Sequence, residues 1–386
     1  MRREHPFWTL VWIRVAFLLG TAATILWAPR AGEASVPDRA WDPFTDLVFG
    51  TFDHWDARWF LDIAREGYSE TSAAFFPLYP MLLSLLGSSL VWGTLLSLVA
   101  AGVGAWFVAA IARTKLGAAG ARDTVLILAL FPTAFVFTAV YSDGLFLMLS
   151  AASFLAAERG RPWLAGVAGG LAVATRAMGL ALLPALVYLL WPGSRRDAWR
   201  LVPLLLLPAA LGLYALYLDR ELGDAWAFTD AQSAEWDREL ATLGPLGGLW
   251  MAIEAGGHGA LEILRDLPRT DPGGTGFSQP LQVSFWNAVH LVVLVPVMWL
   301  TFVAWRRLGP ALGLYALATL VLVLSVPSTG FPLVSLPRFL LTDFPVLIAL
   351  AAVIRERPSL RTGVLVGLGA LSAAAGIAFS RGMWVA

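Results

Sequence analysis

The segment FDHWDARWFLDIAREGYSETSAAFFPLYP, residues 52–80, interrupts a chain that is otherwise almost continuously apolar. It lies between an apolar run at 8–27 and the next clear one at 91–112, and it gathers charge, indole rings and prolines. The whole chain has 386 residues, 58% hydrophobic and 14% charged, with mean hydropathy +0.70. A soluble domain is about half apolar and about a quarter charged. So much apolar surface cannot be hidden from water in one soluble core, so the chain reads as a polytopic membrane protein, with residues 52–80 as a polar loop at a membrane face.

Composition excludes several classes. Formal net charge is zero, so no bulk field points to nucleic acid as a partner. Without cysteine there is no disulfide, thiolate metal site or cysteine nucleophile. The four histidines, at 5, 54, 258 and 290, show no metal-ligand spacing, and no metal or other cofactor is expected. No Walker, Rossmann or Gly-x-Ser-x-Gly pattern occurs where it would count. The first run is longer than the roughly 7–15 residues of a signal-peptide core, so it is read as a retained span.

Helix is the default for a chain that must satisfy its own backbone in lipid. Apolar runs near 123–140, 143–158, 162–175, 177–193, 199–218, 284–305, 310–326, 338–354 and 362–380 follow the first two. The expectation is an all-α integral membrane bundle of about eleven transmembrane helices, forming one domain over 1–386. Prolines at 77 and 80 mark 77–89 as a short, non-spanning segment. Basic residues test this arrangement, because they collect on cytoplasmic loops. Arg113, Lys115 and Arg122, then Arg159 and Arg161, then Arg195, Arg196 and Arg200, then Arg306 and Arg307, then Arg355, Arg357 and Arg361 all fall on one side. The N-terminus is therefore expected in the cytoplasm. Two long loops, 28–90 and 219–283, are expected together on the outer face of the cell membrane, the second rich in Gly and Pro (DPGGTG at 271–276).

Polar residues that could carry chemistry concentrate on that face. Residues 55–66 read as an amphipathic helix with Trp55, Trp59, Phe60, Ile63 and Ala64 near one face. Asp56 borders this face among interfacial indoles, and a partly desolvated carboxylate there suits general-base work on a hydroxyl. Spacing alone fits an ordinary interfacial helix with a solvated Asp at least as well. Arg176 and Arg338 stand at outer ends of spans, where an arginine either forks onto a phosphate or snorkels to the interface. Tyr141, Ser142 and Asp143 form a turn between two spans, and Asp143 also suits a helix start. Asp343 follows Arg338 by about one turn, in register for an ion pair. Gln232, Trp236 and Arg238 in AQSAEWDRE suit a sugar face and its hydroxyls, or an exposed amphipathic helix.

With these residues in view, the chain resembles the PIG-V family, the mannosyltransferases that add the second mannose of GPI anchors, and their bacterial relatives. The match rests on Trp55, Asp56, Phe60, Ile63, Ala64, Gly67, Tyr68, Phe75, Phe76, Pro77 and Pro80. FPTAFVFTAVYSDGLF at 131–146, ATRAMGL at 174–180 and SLPRFLLTDFPVL at 335–347 follow in the family's order. The resemblance implies a GT-C bundle with juxtamembrane helices in the first outer loop. It implies a polyprenyl-phosphate-mannose donor, inversion at the anomeric carbon and an acidic base in that loop, a position that Asp56 matches. Arg176 and Arg338 then become candidates for the donor phosphate, with Tyr141 and Asp143 beside them. His54, Trp55, Arg58, Tyr79, Gln232, Trp236 and Arg238 become candidates for acceptor binding or loop support. The acceptor is left open among lipid-linked and glycan molecules. Two rival readings are a lipid or solute transporter, for which Arg14 inside the first span is the relevant residue, and a noncatalytic membrane assembly subunit.

Overall fold

The computed structural model describes residues 5–25, 42–266, 279–383 and 385. Sixteen α-helices run through them: α1 (Pro6–Ile25), α2 (Pro43–Val48), α3 (Asp56–Glu66), α4 (Leu78–Leu85), α5 (Leu90–Leu130), α6 (Asp143–Glu158), α7 (Pro162–Thr175) and α8 (Leu182–Leu190) come first. They are followed by α9 (Leu206–Leu222), α10 (Ala227–Trp236), α11 (Pro245–Asp266), α12 (Gln279–Val303), α13 (Pro310–Ser325), α14 (Leu336–Thr342), α15 (Phe344–Ile354) and α16 (Pro358–Ser380). Tighter 3-10 turns link several of them, notably Ala134–Thr138 before α6 and Ala177–Ala181 between α7 and α8. Proline opens α7, α13, α14, α15 and α16 in the first turn, where its missing N–H would have no helical partner anyway.

Among the described residues, five helical stretches are long and apolar enough to cross a membrane: Pro6–Thr24, Leu90–Leu130, Asp197–Leu222, Val283–Leu308 and Pro358–Ser380. A sixth appears if α14 and α15, bent by 81°, count as one. Length and composition thus do not reproduce the expected count of about eleven, because several expected runs are broken or fused. The runs at 91–112 and 123–140 fuse into α5, whose 41 residues would reach about 62 Å as one rod. Gly117, at φ 72° and ψ −173°, breaks α5 between the basic residues 115 and 122. The second arm ends at Leu130 and not at 140, because Pro132 drives Phe131 to extended backbone with ψ 142°. The segment 77–89 holds only the eight-residue α4.

The segment 219–283, expected as a second outer loop, departs most from expectation. It holds α10 and the 22-residue α11, and the latter packs on α12 and α13. A Cβ on Gly248 would run into the carbonyl of Leu324, and one on Gly259 into that of Ser284. Glycines that look like helix breakers in the sequence are here a flush packing face. The DPGGTG stretch at 271–276, and residues 28–41 of the first outer loop, lie outside the described residues.

Inside the bundle, Arg14 is almost fully buried and donates to the carbonyl of Ala129 at 3.1 Å and to Ser372 Oγ at 3.0 Å. It ties α1 to α5 and α16.

Candidate active site

α3 forms where the amphipathic pattern placed it, and it buries Ala57, Phe60, Leu61 and Ile63. Trp55 is the residue before its first turn, at φ 55° and ψ −124°, and its indole is 44% exposed. Trp55 therefore stands off the buried face on which it was expected. The rest of the motif closes on Phe75: Trp59 stacks on it at 5.8 Å, Phe60 meets it edge-on at 5.1 Å, and Trp236 reaches it at 5.6 Å from the second outer loop. The two loops expected on the outer face are thus joined through one buried phenyl ring. Arg58 Nε donates to the carbonyl of Asp53 at 3.2 Å, which braces the turn before α3.

This scaffold sets Asp56 at the edge of a charge cluster. Arg338 donates from Nε to both oxygens of Asp143, at 3.1 and 3.0 Å, and from one terminal nitrogen to Oδ2 at 2.8 Å. Its other terminal nitrogen bonds Asp56 Oδ2. Arg176 pairs with Asp143 Oδ1. The side chain of Asp143 is fully buried, whereas that of Asp56 is 19% exposed. Arg338 therefore has all three guanidinium nitrogens on carboxylates, and the register-based pairing with Asp343 does not occur. The cause is the 81° bend between α14 and α15, which turns Arg338 away along the shorter helix. Asp343 sits buried at that bend with Oδ1 unpartnered.

Tyr141 forms the floor. Arg338 lies 4.6 Å over its ring, a cation–π contact in a desolvated place. Its hydroxyl makes a long contact, 3.5 Å, to the carbonyl of His54. Burial first, and then the charge of Asp56, hold the Tyr141 phenol well above its usual range, so it is not a base here. Ser97 accounts for its backbone: Ser97 Oγ contacts the Tyr141 carbonyl at 2.9 Å and the Tyr79 hydroxyl at 2.7 Å. Tyr79 is fully buried, one hydrogen-bonded step from this turn, and supports the cluster without lining it. The buried His54 ring lies 6.2 Å from Phe379, and its carbonyl is what faces Tyr141.

The segment after α10 contributes Arg238. Its chain is pinned by an antiparallel bridge to Ser328 and by main-chain bonds from Glu239 to Pro327, Ala241 to Ser325 and Thr329 to Asp237. Gln232 enters through its carbonyl, which accepts from the Arg238 N–H at 3.2 Å. The Arg238 guanidinium donates to the carbonyl of Val334 at 2.9 Å and lies 5.3 Å from the Phe339 ring centre. Arg176 lies 5.6 Å from the same ring. Burial, with Arg176 and Arg338 nearby, pushes the Arg238 guanidinium down to about 10, still cationic at neutral pH. Phe339 was not singled out from the sequence, although it follows Arg338 in the SLPRFLL segment. Among the described residues no group of three His, Asp or Glu side chains is placed to hold a metal ion.

Beside the cluster an apolar groove of about 690 Å³ opens between α4, α7 and α9. Its lining includes Tyr68, Met81, Leu171, Leu213, Tyr217 and Ala174, the last two residues before Arg176. Tyr68 is tied by its hydroxyl to the carbonyl of Phe75 at 2.8 Å, so groove and motif share a wall.

Similarity to known proteins follows the same residues. The family model described as mannosyltransferase (PIG-V) matches residues 10–191, a stretch that holds Asp56, Tyr141, Asp143 and Arg176, though not Arg238 or Arg338. Three of the four segments that carried the resemblance, at 55–80, 131–146 and 174–180, fall inside this match, and the fourth, at 335–347, lies outside it. The GPI alpha-1,6-mannosyltransferase 2 of Rattus norvegicus is 33% identical over 161 residues, 37% of this chain and 32% of that protein. Its namesake in Homo sapiens is 28% identical over 210 residues, 49% of this chain and 42% of that protein. The matched stretches thus span less than half of these relatives. Among solved structures, ArnT from Cupriavidus metallidurans, crystallised with undecaprenyl phosphate, superposes with TM-score 0.50 at 18% identity, over 93% of this chain and 63% of that one. Among the described residues the fold is the all-helical bundle expected from the sequence, and it is shared with ArnT.

Proposed function

We propose that the protein is a membrane mannosyltransferase that moves a mannosyl group, with inversion, from a polyprenyl-phosphate donor to a lipid-linked or glycan acceptor on the outer face of the cell membrane. The observation that supports this most directly is one arrangement: a partly exposed carboxylate, Asp56, among clustered arginines, with an apolar groove nearby whose lining reaches Ala174, two residues before Arg176. A lipid phosphate needs both an apolar channel and guanidinium donors. Similarity to the PIG-V family over residues 10–191, somewhat less than half of the chain and including Asp56, supports mannose as the sugar. A fold shared with a protein crystallised with undecaprenyl phosphate is compatible with such a lipid.

In this reading Arg338 fixes Asp56 through Oδ2 and leaves Oδ1 to take the proton of the acceptor hydroxyl. The acceptor oxygen attacks the anomeric carbon from the face opposite the phosphate, and the anomeric C–O bond breaks with its electron pair going to the phosphate. The arginines stabilise the charge that develops there. The basic connections at 113–122, 159–161 and 306–307 support a cytoplasmic N-terminus. The transporter reading drew on Arg14, but that guanidinium is bound to Ala129 and Ser372 between three packed helices, which suits a structural tie.

The test is transfer of label from polyprenyl-phosphate-mannose to the lipid and glycan fractions of host membranes, with protein in nanodiscs. The wild type is expected to transfer, and Asp56→Asn and Asp56→Ala to lose about 10²–10⁴-fold. Full transfer by a folded Asp56→Ala protein would refute the base assignment, and label crossing the bilayer of sealed proteoliposomes without transfer would favour a transporter.

A further inference from the structure

The cluster contains three arginines and two aspartates. Asp143 is enclosed by Arg338 and Arg176, and Asp56 is held by Arg338. Each nitrogen of Arg338 already serves a carboxylate, so this arginine is spent on its neighbours. Arg176 has one terminal nitrogen so engaged. Arg238 differs from both: among the described residues it makes no salt bridge, and its hydrogen bond goes to a neutral carbonyl. Its main chain is anchored by the bridge to Ser328 and the flanking bonds to 325–329. Arg176 and Arg238 both lie against the ring of Phe339, within 5.6 Å of its centre.

We infer that the donor phosphate is bound by Arg238 together with Arg176 over the edge of Phe339, and that Arg338 is a positioning residue for Asp56 and Asp143, not a phosphate ligand. This deepens the proposed function and rests on its lipid-phosphate donor. The sequence reading had Arg176 and Arg338 as phosphate candidates and Arg238 on the acceptor side, and the geometry exchanges the last two.

Charge counting supports a third arginine at the loaded site, and the contacts above make it Arg238 that is free of a carboxylate. Three guanidiniums against two carboxylates leave one positive charge. The donor is a phosphodiester with one negative charge, so the loaded site is neutral. During transfer the acceptor proton moves to Asp56, which makes the protein cluster doubly positive. At the same step the sugar–oxygen bond breaks with its electron pair on phosphate, which leaves a doubly negative monoester. The site stays neutral from start to finish. Without Arg238 the loaded site would carry one uncompensated negative charge throughout, in a setting where unpaired charge is costly.

The experiment uses the full chain in nanodiscs and two probes, undecaprenyl phosphate and undecaprenol, which differ only in the phosphate. Wild type is expected to bind the phosphate more tightly than the alcohol. Arg238→Gln is expected to weaken undecaprenyl phosphate at least 10-fold and leave undecaprenol unchanged, so that the preference for phosphate falls. A purely structural role would weaken both alike. Arg238→Lys keeps the charge and loses the fork, and is expected to fall in between; it is the test if Arg238→Gln does not fold. Arg338→Lys is expected to lose transfer while keeping the phosphate preference within about threefold. If wild type binds the phosphate and the folded Arg238 variants bind it equally well, this assignment is overturned while the donor reading stands. If wild type shows no preference for phosphate over alcohol and no transfer, the donor reading fails and takes this assignment with it.

Discussion

Arg338 grips two carboxylates, and removing them one at a time should damage different properties. Asp143 is fully buried and faces two guanidiniums. Asp143→Asn keeps the shape but leaves two buried cations short of a charge. Breaking a buried, hydrogen-bonded ion pair on one side costs about 3–5 kcal/mol, and more partners push toward the upper end. Asp56 is 19% exposed, and Arg338 keeps its bidentate hold on Asp143 when Asp56 is changed. Asp56→Asn should therefore cost less, about 1.5–3 kcal/mol for the one charged hydrogen bond it loses. Catalysis should rank them the other way: Asp56→Asn removes the proton acceptor and about 10²–10⁴ in turnover, whereas the Asp143→Asn protein that remains folded should keep measurable transfer. The assay pairs SDS-driven unfolding in mixed micelles, followed by tryptophan fluorescence, with transfer from polyprenyl-phosphate-mannose normalised to folded protein. Equal destabilisation by the two substitutions would refute the burial argument. A folded Asp56→Asn protein that turns over better than Asp143→Asn would refute the division of roles.

Three other substitutions probe the supports. Ser97→Ala removes the hydroxyl that links Tyr79 to the carbonyl of Tyr141. It is expected to cost about 1–3 kcal/mol by leaving buried polar atoms unpaired, and to lower kcat more than it raises KM for donor, read by steady-state transfer. Gly259→Leu drives a side chain into the carbonyl of Ser284 and should destabilise the α11–α12 contact by about 1–3 kcal/mol, seen as faster proteolysis within 245–266 with the α5–α6 core still protected. Ser372→Ala takes a partner from the buried Arg14 and should cost about 1.5–3 kcal/mol, measured by the same unfolding assay, without changing the preference for undecaprenyl phosphate.

Reading the chain found the participants more readily than the pairings. Asp56, Asp143, Arg176 and Arg338 stood out because a charge among apolar runs demands a partner. Which partner each takes depends on where helices break, and spacing within one run misleads there. Arg338 and Asp343 looked like neighbours on one helix, yet the bend at Asp343 separates them and gives Arg338 to residues nearly 200 and nearly 300 positions away in sequence. Arg238 was visible as a residue but not as a cation of the cluster, because its place is set by main-chain pairing with 325–329. The helix α11 was lost for a related reason. Its glycines carry no apolar signal, and only the facing carbonyls of Leu324 and Ser284 explain them.

The breaks themselves explain why the charges sit where they do. Arg176 is the extended residue, at φ −159°, between α7 and a 3-10 turn. Asp143 opens α6 after the interruption that Pro132 begins, Asp56 opens α3 after a left-handed Trp55, and Arg338 rides on a seven-residue helix that ends at a bend. A continuous span would turn these side chains toward lipid or toward a packed neighbour, where an ion is costly. An interrupted one frees backbone polar groups that must then be satisfied inside the protein, which forces a polar interior at that depth. Prolines and glycines in this chain therefore do more than end helices. Pro132, Gly179, Pro337 and Pro345 flank the places where Tyr141, Asp143, Arg176 and Arg338 converge. Replacing Pro132 with Ala makes the argument testable, since it restores an N–H and lets α5 continue toward 140. The expected result is a longer α5 in hydrogen exchange, with slower exchange at 131–136, and loss of the Asp143–Arg338 contact with at least 10-fold less transfer. Unchanged exchange together with unchanged transfer would show that the break is held by packing around Phe135 and Phe137 and not by the proline.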